Sequence, residues 1–254
     1  MADQTKAELV SIITPTFNCE NHIRSTIESV QKQTYSTWEM IIVDDASTDG
    51  TVHIIQEYAE ADERIRFYRL EENSGPAIAR NTGLKESRGN FIAFLDSDDQ
   101  WYPEKLARQL DFMRRGDHPI TFTSYEIVDK AGLATNRIIQ AVPRLSREDY
   151  LKNTLIGCST AIVDRRKTGD FEFLNIRTRQ DTHLWITLLG RDIDAHGLDE
   201  VLVKYRIHPD AISSNKFQAA RQVWNLYHNI VGIGFIRSSY YFAFYFFNAI
   251  KKRI

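Results

Sequence analysis

The sequence has few cysteines and no early hydrophobic stretch that could serve as a targeting or membrane-spanning segment. Its two cysteines, Cys19 and Cys158, stand in no metal-ligand spacing among 254 residues, so reduced thiols are favoured over a disulfide. The N-terminus has no basic start followed by an apolar run, so no secretory signal is expected. Before the C-terminal region, no apolar run approaches the roughly 20 residues that a transmembrane helix needs.

Charge of one sign is not in excess either. The chain carries 32 basic and 34 acidic residues, for a formal net charge of -2, which gives no sign of a nucleic-acid partner. No Gly-x-Gly-x-x-Gly follows the first predicted strand, which disfavours a dehydrogenase. Residues 11–21 contain neither Gly nor Lys, which disfavours a nucleotidyltransferase with a Gly-rich, basic phosphate loop.

What the first half does contain is a regular alternation of apolar, β-branched runs and helical spacings. Strands are predicted at 9–14, 40–43, 65–70 and 91–95, and helices at about 23–30, 51–61, 76–86 and 103–115. Such an alternation indicates an α/β fold with right-handed crossovers and a mostly parallel central sheet flanked by helices. Ligands of such sheets bind beyond the carboxyl ends of the strands.

The second half is less regular, with strands predicted at 120–128, 159–163 and 201–207 and a helix at 180–189. No linker separates the halves, so we expect them to share one sheet and one cleft. Trp101 and Trp185 are candidates for stacking on an acceptor sugar, and core packing is the alternative for both.

Three carboxylates follow the fourth predicted strand, in the segment Asp96-Ser97-Asp98-Asp99. Their mutual repulsion is tolerated when a divalent cation or a ligand balances it, and oxygen ligands suit Mg²⁺ or Mn²⁺ shared with a diphosphate. The alternative is that Asp98 or Asp99 caps the helix that begins near Pro103.

Two further motifs lie at a strand end and a helix start. Asp45 ends the second strand, where a carboxylate can accept a hydrogen bond from a base N–H or a ribose hydroxyl. Arg80 and Asn81 lie one turn into a helix that opens at Gly75-Pro76, where a cation can face an anionic ligand. A solvated arginine is the alternative there.

Four motifs, taken in order along the chain, resemble those of family-2 glycosyltransferases with the GT-A fold. They are Thr16-Phe17-Asn18, Asp44-Asp45, Gly75-Pro76-x-x-x-Arg80-Asn81 and Asp96-Ser97-Asp98. The resemblance is close over the first half and continues through residues 180–185 and 205–208. It implies an inverting, metal-dependent transferase that uses Mn²⁺ or Mg²⁺ and moves a hexose or N-acetylhexosamine from a UDP-sugar. A catalytically degenerate nucleotide-sugar-binding protein is the alternative.

The resemblance also implies which residues bind the donor, namely Thr14, Pro15, Phe17, Asp45, Arg80, Asp96 and Asp98. Asp45 would hold the base, Arg80 would pack near it, and Asp96 would contact the ribose. Asp98 would bind the metal. His208 would complete the metal shell or reach the diphosphate, unless it is an ordinary surface histidine.

The same resemblance makes Asp181 the general base that deprotonates the acceptor hydroxyl on the face opposite the leaving nucleotide. The family most often has Glu-Asp where this chain has Gln180-Asp181. The departure leaves the aspartate in place but changes its neighbour. A helix-capping role for Asp181 is compatible with catalysis.

The C-terminal tail is the most apolar part of the chain. Seven of the eight residues 240–247 are aromatic, and Lys251-Lys252-Arg253 follow. This pattern indicates an interfacial helix, and packing on the body or in a homodimer is the alternative. We expect a catalytic domain at 1–215, with a nucleotide-sugar half (1–130) and an acceptor half (131–215), and a tail at 216–254. The resemblance to family-2 glycosyltransferases implies a lipid-linked saccharide as the acceptor, and the expected location is then the cytoplasmic face of the inner membrane.

Overall fold

A computed structural model describes residues 9–207 and 216–251. Its first half confirms the predicted alternation of strands and helices. The strands are β1 (Val10–Thr16), β2 (Trp38–Asp44), β3 (Ile65–Arg69) and β4 (Phe91–Phe94). The helices that follow the first three strands are α1 (Ile23–Gln31), α2 (Thr51–Ala61) and α3 (Pro76–Glu86). β1 lies between β2 and β4 with β3 beyond β2, and all three pairings are parallel.

The part of the chain after β4 extends the same sheet with mixed strand directions. Its strands are β5 (Gln100–Trp101), β6 (Ile120–Val128), β7 (Ala134–Ile139), β8 (Ile162–Asp164) and β9 (Ala195–Arg206). Its helices up to β9 are α4 (Lys105–Arg115), α5 (Arg147–Lys152), α6 (Arg165–Thr168) and α7 (Gln180–Leu189). The sheet runs in the order β3-β2-β1-β4-β8-β6-β9-β5, and β7 pairs with β6. The antiparallel β8 joins β4 to β6, so the two halves share one continuous sheet.

The strand predicted at 159–163 is wrong in its first half. Cys158–Thr160 forms a 3₁₀ turn, and the strand begins only at Ile162. The reason is local hydrogen bonding, since the Thr160 hydroxyl donates to Gly157 O at 2.7 Å and the Ser159 hydroxyl bonds a distant carboxylate. Polar side chains that satisfy backbone groups in this way compete with strand formation.

Helices cover both faces of the sheet because successive strand residues point to opposite sides. Ile12 of β1 belongs to a core that includes residues of α1 and α4, whereas Ile13 faces a core built from α3 and α7. The second face is packed so closely that a Cβ on Gly83 of α3 would lie 2.7 Å from Ile13 Cγ2.

The tail consists of α8 (Lys216–Asn225), a π-helical turn (Leu226–Ile230) and α9 (Phe235–Lys251). It is anchored on α5, because the Tyr227 hydroxyl donates to Leu151 O at 2.8 Å and Asn248 Nδ2 donates to Lys152 O at 3.1 Å. α5 in turn packs against α7. Among the described helices, none is both long and apolar enough to cross a membrane.

One side of α9 remains uncovered. Tyr241 and Ser238 are buried, whereas Ile236 is 84% exposed and Phe247 is 65% exposed. We call this uncovered side of the helix the apolar face, and its large exposed side chains are Phe235, Ile236, Tyr240, Phe244, Phe246 and Phe247. The tail therefore packs on the protein with one side and presents an apolar surface with the other.

Candidate functional site

The loops that follow β1, β2, β3 and β4, together with the start of α3 and the loop before α7, line a hollow of about 400 Å³, the strand-end hollow. Six of the residues that the sequence predicts for donor binding line it, namely Pro15, Phe17, Asp45, Arg80, Asp96 and Asp98. Thr14 is buried in β1 and is not among the lining residues. Motifs that are far apart in sequence thus meet at the carboxyl edge of the parallel strands, where such sheets bind ligands.

Asp45 fixes the loop that opens α3. Its two carboxylate oxygens accept hydrogen bonds from Ser74 N at 2.7 Å and Gly75 N at 2.8 Å. Gly75 has a φ of 92°, a conformation that favours glycine. Each carboxylate oxygen has a second lone pair, so Asp45 can hold this loop and still accept from a ligand.

The loop after β1 is held against the loop after β2. Asn18 N donates to the Ser47 hydroxyl at 2.8 Å, and Asn18 Oδ1 accepts from Thr48 N at the same distance. Phe17 is left 48% exposed at the edge of the hollow. An exposed ring on a fixed loop is suited to stacking on a planar ligand.

The three carboxylates after β4 have different surroundings. Asp99 is buried, where it accepts from Arg206 N at 2.8 Å and from the Ser159 hydroxyl at 2.5 Å. Burial, followed by the negative charges of Asp98 and Asp96, raises the pKa of Asp99 well above its usual range. Asp99 therefore has a structural role, since it is buried and bonded to Ser159 and Arg206, whereas Asp96 and Asp98 line the hollow.

Arg80 is a buried cation that connects both sides of the site. Its Nη2 donates to Asp96 Oδ1 at 2.5 Å, and its guanidinium lies 5.3 Å from the centre of the Phe173 ring. In the amide orientation that satisfies its neighbours, Gln180 accepts from Arg80 Nη1 at 2.8 Å. Burial alone would lower the pKa of Arg80, but the charge of Asp96 and its hydrogen bond raise it, with a smaller contribution from the charge of Asp181, so Arg80 stays a cation.

The segment that leads into α7 is fastened at two points. Asn81 exchanges two hydrogen bonds with the backbone of Phe173, at 2.8 and 2.7 Å, and Gln180 donates to Ile176 O at 2.7 Å. Asp181 follows in the first turn of α7, half-buried. Asp181 is not among the residues that line the strand-end hollow, but its negative charge helps to raise the pKa of Arg80, which does line it.

A divalent cation is compatible with this arrangement. Asp98 offers a carboxylate in the hollow beside Asp96, which is paired with Arg80. Within residues 9–207 and 216–251, no three His, Cys, Asp or Glu side chains are grouped to hold a metal. Mg²⁺ and Mn²⁺ do not require such a group, since they commonly bind one or two carboxylates and fill their shell with substrate phosphates and water. His208, the second predicted ligand, lies outside the described residues.

Several residues of the site were not predicted from sequence. Ser159 accepts from Asp96 N at 3.1 Å while it donates to Asp99, so it organises the acidic segment. Arg206 donates through its side chain to the carbonyl of Asp98, which ties β9 to that segment. Arg177 lines the hollow from the loop before α7. No sequence signal marks Ser159 or Arg177, because their partners are distant in the chain.

Trp101 and Trp185 pack in the protein core, the alternative to stacking on an acceptor sugar. Trp185 is fully buried, and Trp101 is buried with its indole N–H donating to Ser159 O at 2.8 Å. Neither ring is available to an acceptor sugar in this structure.

Comparison with known proteins agrees with the sequence motifs. A putative teichuronic acid biosynthesis glycosyltransferase, TuaG of Bacillus subtilis, is 46% identical over 97% of this chain and 98% of its own length. A UDP-Glc:alpha-D-GlcNAc-diphosphoundecaprenol beta-1,3-glucosyltransferase, WfgD of Escherichia coli, is 37% identical over 96% of this chain and 94% of its own length.

Solved structures share the fold. S. aureus TarS in complex with UDP-GlcNAc superposes with a TM-score of 0.67 at 21% identity, over 87% of this chain and 66% of that one. The mannosyltransferase PcManGT from Pyrobaculum calidifontis, with GDP-Man and Mn²⁺, gives a TM-score of 0.67 at 18% identity, over 89% of this chain and 65% of that one. The family model described as Glycosyl transferase family 2 matches residues 11–171. With its ordered strand-end motifs gathered in one hollow, the chain belongs to glycosyl transferase family 2.

Proposed function

We propose that this glycosyltransferase moves a hexose or N-acetylhexosamine from a UDP-sugar to a hydroxyl of a lipid-linked saccharide, with inversion, in surface-polysaccharide synthesis. The proposal rests on the position of Arg80. It bonds to Asp96 in the strand-end hollow and to Gln180 at the start of α7, and so connects the two parts of the site. The donor class is supported by a UDP-Glc enzyme among the relatives and a UDP-GlcNAc complex among the structural neighbours.

In this proposal the nucleotide lies along the hollow. The base sits between Phe17, Pro15 and Asp45, whose free lone pairs accept from the uracil N–H. Asp96 accepts from a ribose hydroxyl while Arg80 holds it in place. Asp98 would hold a Mn²⁺ or Mg²⁺ ion, which when bound offsets negative charge on the diphosphate. Thr14 supports this pocket from within β1.

Asp181 performs the proton transfer. Its carboxylate takes the proton of the acceptor hydroxyl as that oxygen forms a bond to the anomeric carbon. The bond from that carbon to the β-phosphate oxygen breaks, and UDP leaves on the opposite face. Arg80 is hydrogen-bonded to Gln180, and the charge of Asp181 helps to raise its pKa. Arg80 thereby holds the start of α7, with the general base Asp181, in position next to the donor.

The Asp181→Asn variant tests this assignment. It should bind UDP as the unmodified enzyme does, while turnover falls roughly 100-fold or more, the scale of a positioned general base. The product's anomeric configuration, determined by NMR, should be opposite to that of the donor. Near-normal turnover of Asp181→Asn, or retention of configuration, would refute the assignment, and absence of any transfer by the unmodified enzyme would favour a degenerate binding protein.

Asp98→Ala tests the metal. The variant should fold but lose nearly all transfer, and EDTA should abolish transfer by the unmodified enzyme until Mn²⁺ or Mg²⁺ is added back. Asp62→Ala, at a partly buried carboxylate outside the hollow, is the control for loss of one acidic side chain. Full activity of the chelated enzyme would contradict the metal requirement. His208→Ala, measured in parallel, tests whether that residue contributes to metal affinity.

A membrane surface is the proposed partner of the apolar face. Three of the last four residues are basic, which suits anionic headgroups, and exposed aromatic rings suit the acyl boundary. α9 also lies close to the catalytic side, because Arg179, which immediately precedes α7, approaches the Tyr245 hydroxyl at 3.4 Å. A lipid-linked acceptor held at the membrane would thus have its sugar end near Asp181, on the cytoplasmic face of the inner membrane.

Flotation with anionic liposomes at low and high salt tests the partner. The unmodified protein should float, and a double variant, Phe244→Glu with Phe247→Glu, should not, while both should transfer to a short soluble acceptor. Leu133→Glu is the matched control, since Leu133 is 67% exposed on the β6–β7 turn and should not affect flotation. If the unmodified protein stays at the bottom of the gradient and sediments as a dimer that the double variant dissociates, the face is a homodimer interface instead.

The domain boundaries follow from the same proposal. Residues 1–215 would be the catalytic domain, with 1–130 binding the nucleotide-sugar and 131–215 forming the acceptor side. Residues 216–254 would be the tail that brings the enzyme to the acceptor. Removal of the tail is a poor test of this division, because Val223, Leu226 and Tyr227 are buried against the body.

A further inference from the structure

The loop between Phe173 and α7 presents one arginine to the strand-end hollow. Arg177 is exposed and lines the hollow together with Asp96 and Asp98. The loop is fastened on both sides of this residue, by Asn81 at Phe173 and by Gln180 at Ile176. Arg177 therefore occupies a set position at the hollow while its side chain keeps its own freedom.

The other two arginines of the site already have partners in the protein. Arg80 is paired with Asp96, and Arg206 donates to the carbonyls of Asp98 and Lys130. In the part of the chain that the structure describes, Arg177 has no hydrogen bond or ion pair. Arg177 can therefore bind an anionic ligand without breaking a hydrogen bond or ion pair to any residue that the structure describes.

The position along the chain indicates which part of a donor Arg177 can reach. Arg177 precedes Asp181 by four residues at the start of α7, and Asp181 is the proposed base at the anomeric carbon. The phosphate bonded to that carbon is the β-phosphate. The nucleoside end of the hollow, at Phe17 and Asp45, is formed by other loops.

We propose that Arg177 binds the β-phosphate of the donor and stabilises the UDP leaving group; this inference rests on the proposed function. As the bond between the anomeric carbon and the β-phosphate oxygen breaks, that oxygen gains negative charge. A guanidinium within hydrogen-bond reach of it strengthens its contact as the charge grows, which lowers the barrier as well as the dissociation constant. Arg177 would thereby add its positive charge to that of the ion that Asp98 would hold, since both side chains line the hollow.

Nucleotide affinities separate the β-phosphate contact from a general effect on the hollow. Calorimetry would compare UDP with UMP, in EDTA and in Mn²⁺, for the unmodified enzyme, Arg177→Gln and Arg177→Lys. In Arg177→Gln, UDP affinity should fall about tenfold, the scale of one partly exposed charged hydrogen bond, while UMP affinity stays within about twofold. Arg177→Lys should recover most of the difference. Lys85→Gln removes an exposed cation on α3 outside the hollow and should behave as the unmodified enzyme.

Steady-state kinetics supply the second measurement. Arg177→Gln should lower kcat as well as raise KM for the donor, whereas a residue that only shapes the loop would not single out the diphosphate. Equal losses of UDP and UMP affinity, or no change in either, would overturn the inference. If the unmodified enzyme neither binds UDP nor transfers sugar, the proposed function itself fails, and the two failures are therefore distinguishable.

Discussion

Replacement of Asn81 by alanine should loosen the segment that positions both Arg80 and the start of α7. Asn81 Nδ2 donates to Phe173 O at 2.8 Å, and Asn81 Oδ1 accepts from Phe173 N at 2.7 Å. The ring of Phe173 is buried against Phe94 and beside the Arg80 guanidinium. A truncated side chain at position 81 therefore leaves one backbone donor and one acceptor without protein partners.

The magnitude follows from these two bonds. Each is worth about 1 kcal/mol net, and both groups are only partly buried, so water can satisfy part of what is lost. The free energy of unfolding should therefore fall by about 2 kcal/mol, which for a chain of this size lowers Tm by about 4–8 °C. Arg80 loses its fixed ring neighbour, so kcat/KM at 25 °C should fall further than unfolding alone explains.

Aspartate at the same position sharpens the test. Asn81→Asp keeps the acceptor for Phe173 N but sets a carboxylate oxygen against Phe173 O, so at neutral pH it should destabilise the protein at least as much as alanine does. Asn229→Ala is the control, because the Asn229 amide makes one exposed bond to Asn225 and should cost less than about 0.5 kcal/mol. Urea unfolding followed by circular dichroism measures all three. An Asn81→Asp variant as stable as the unmodified protein would show that the paired bonds do not hold this segment.

Three further outcomes are expected. Burial raises the pKa of the Cys19 thiol to about 11 and that of Cys158 well above its usual range, so at pH 8 both thiols are protonated. Alkylation by iodoacetamide should therefore be slow in the folded protein and rapid for both thiols on unfolding. The alkylation rate of Cys19 should increase as the pH approaches 11. Gly83→Ala should destabilise by about 1–3 kcal/mol, because its Cβ would lie 2.7 Å from Ile13 Cγ2, and unchanged urea unfolding would contradict that packing. Tyr227→Phe should cost about 1 kcal/mol through loss of its bond to a backbone carbonyl of α5, and an unchanged Tm would mean that this contact does not anchor the tail.

The parallel half of the fold was predictable because its strands contain apolar residues in short runs and the first three strands are each followed by a helix. The bounds predicted for α2 and α3 agree with Thr51–Ala61 and Pro76–Glu86. β5 and β7 were missed, since Gln100–Trp101 has only two residues and Ala134–Ile139 is largely exposed, so neither has a core-facing pattern. Such strands form because they pair with strands that are distant in the sequence, and the local sequence pattern gives no sign of that pairing.

The site shows the same division. Sequence order placed Asp45, Arg80 and Asp98 near one another because parallel strands end at a common edge. Their internal partners were not predictable, since the contacts of Asp99 to Arg206 and of Arg80 to Gln180 join residues about a hundred positions apart. The departure from Glu to Gln at position 180 became interpretable only with the fold, where the amide serves a carbonyl on one side and a guanidinium on the other.

The continuous sheet has a mechanical consequence. β8 pairs with β4 on one side and β6 on the other, and β5 pairs with β9 at the far edge. A hinge motion between the donor and acceptor halves would have to break the hydrogen bonds between these strands. The sheet should therefore stay rigid beneath the hollow. Entry of the donor and escape of UDP must then be accommodated by the loops at the strand ends. Amide hydrogen exchange should accordingly be slow along β4 and β8 both with and without UDP, whereas exchange in the loops around residues 73–75 and 174–179 should slow on binding.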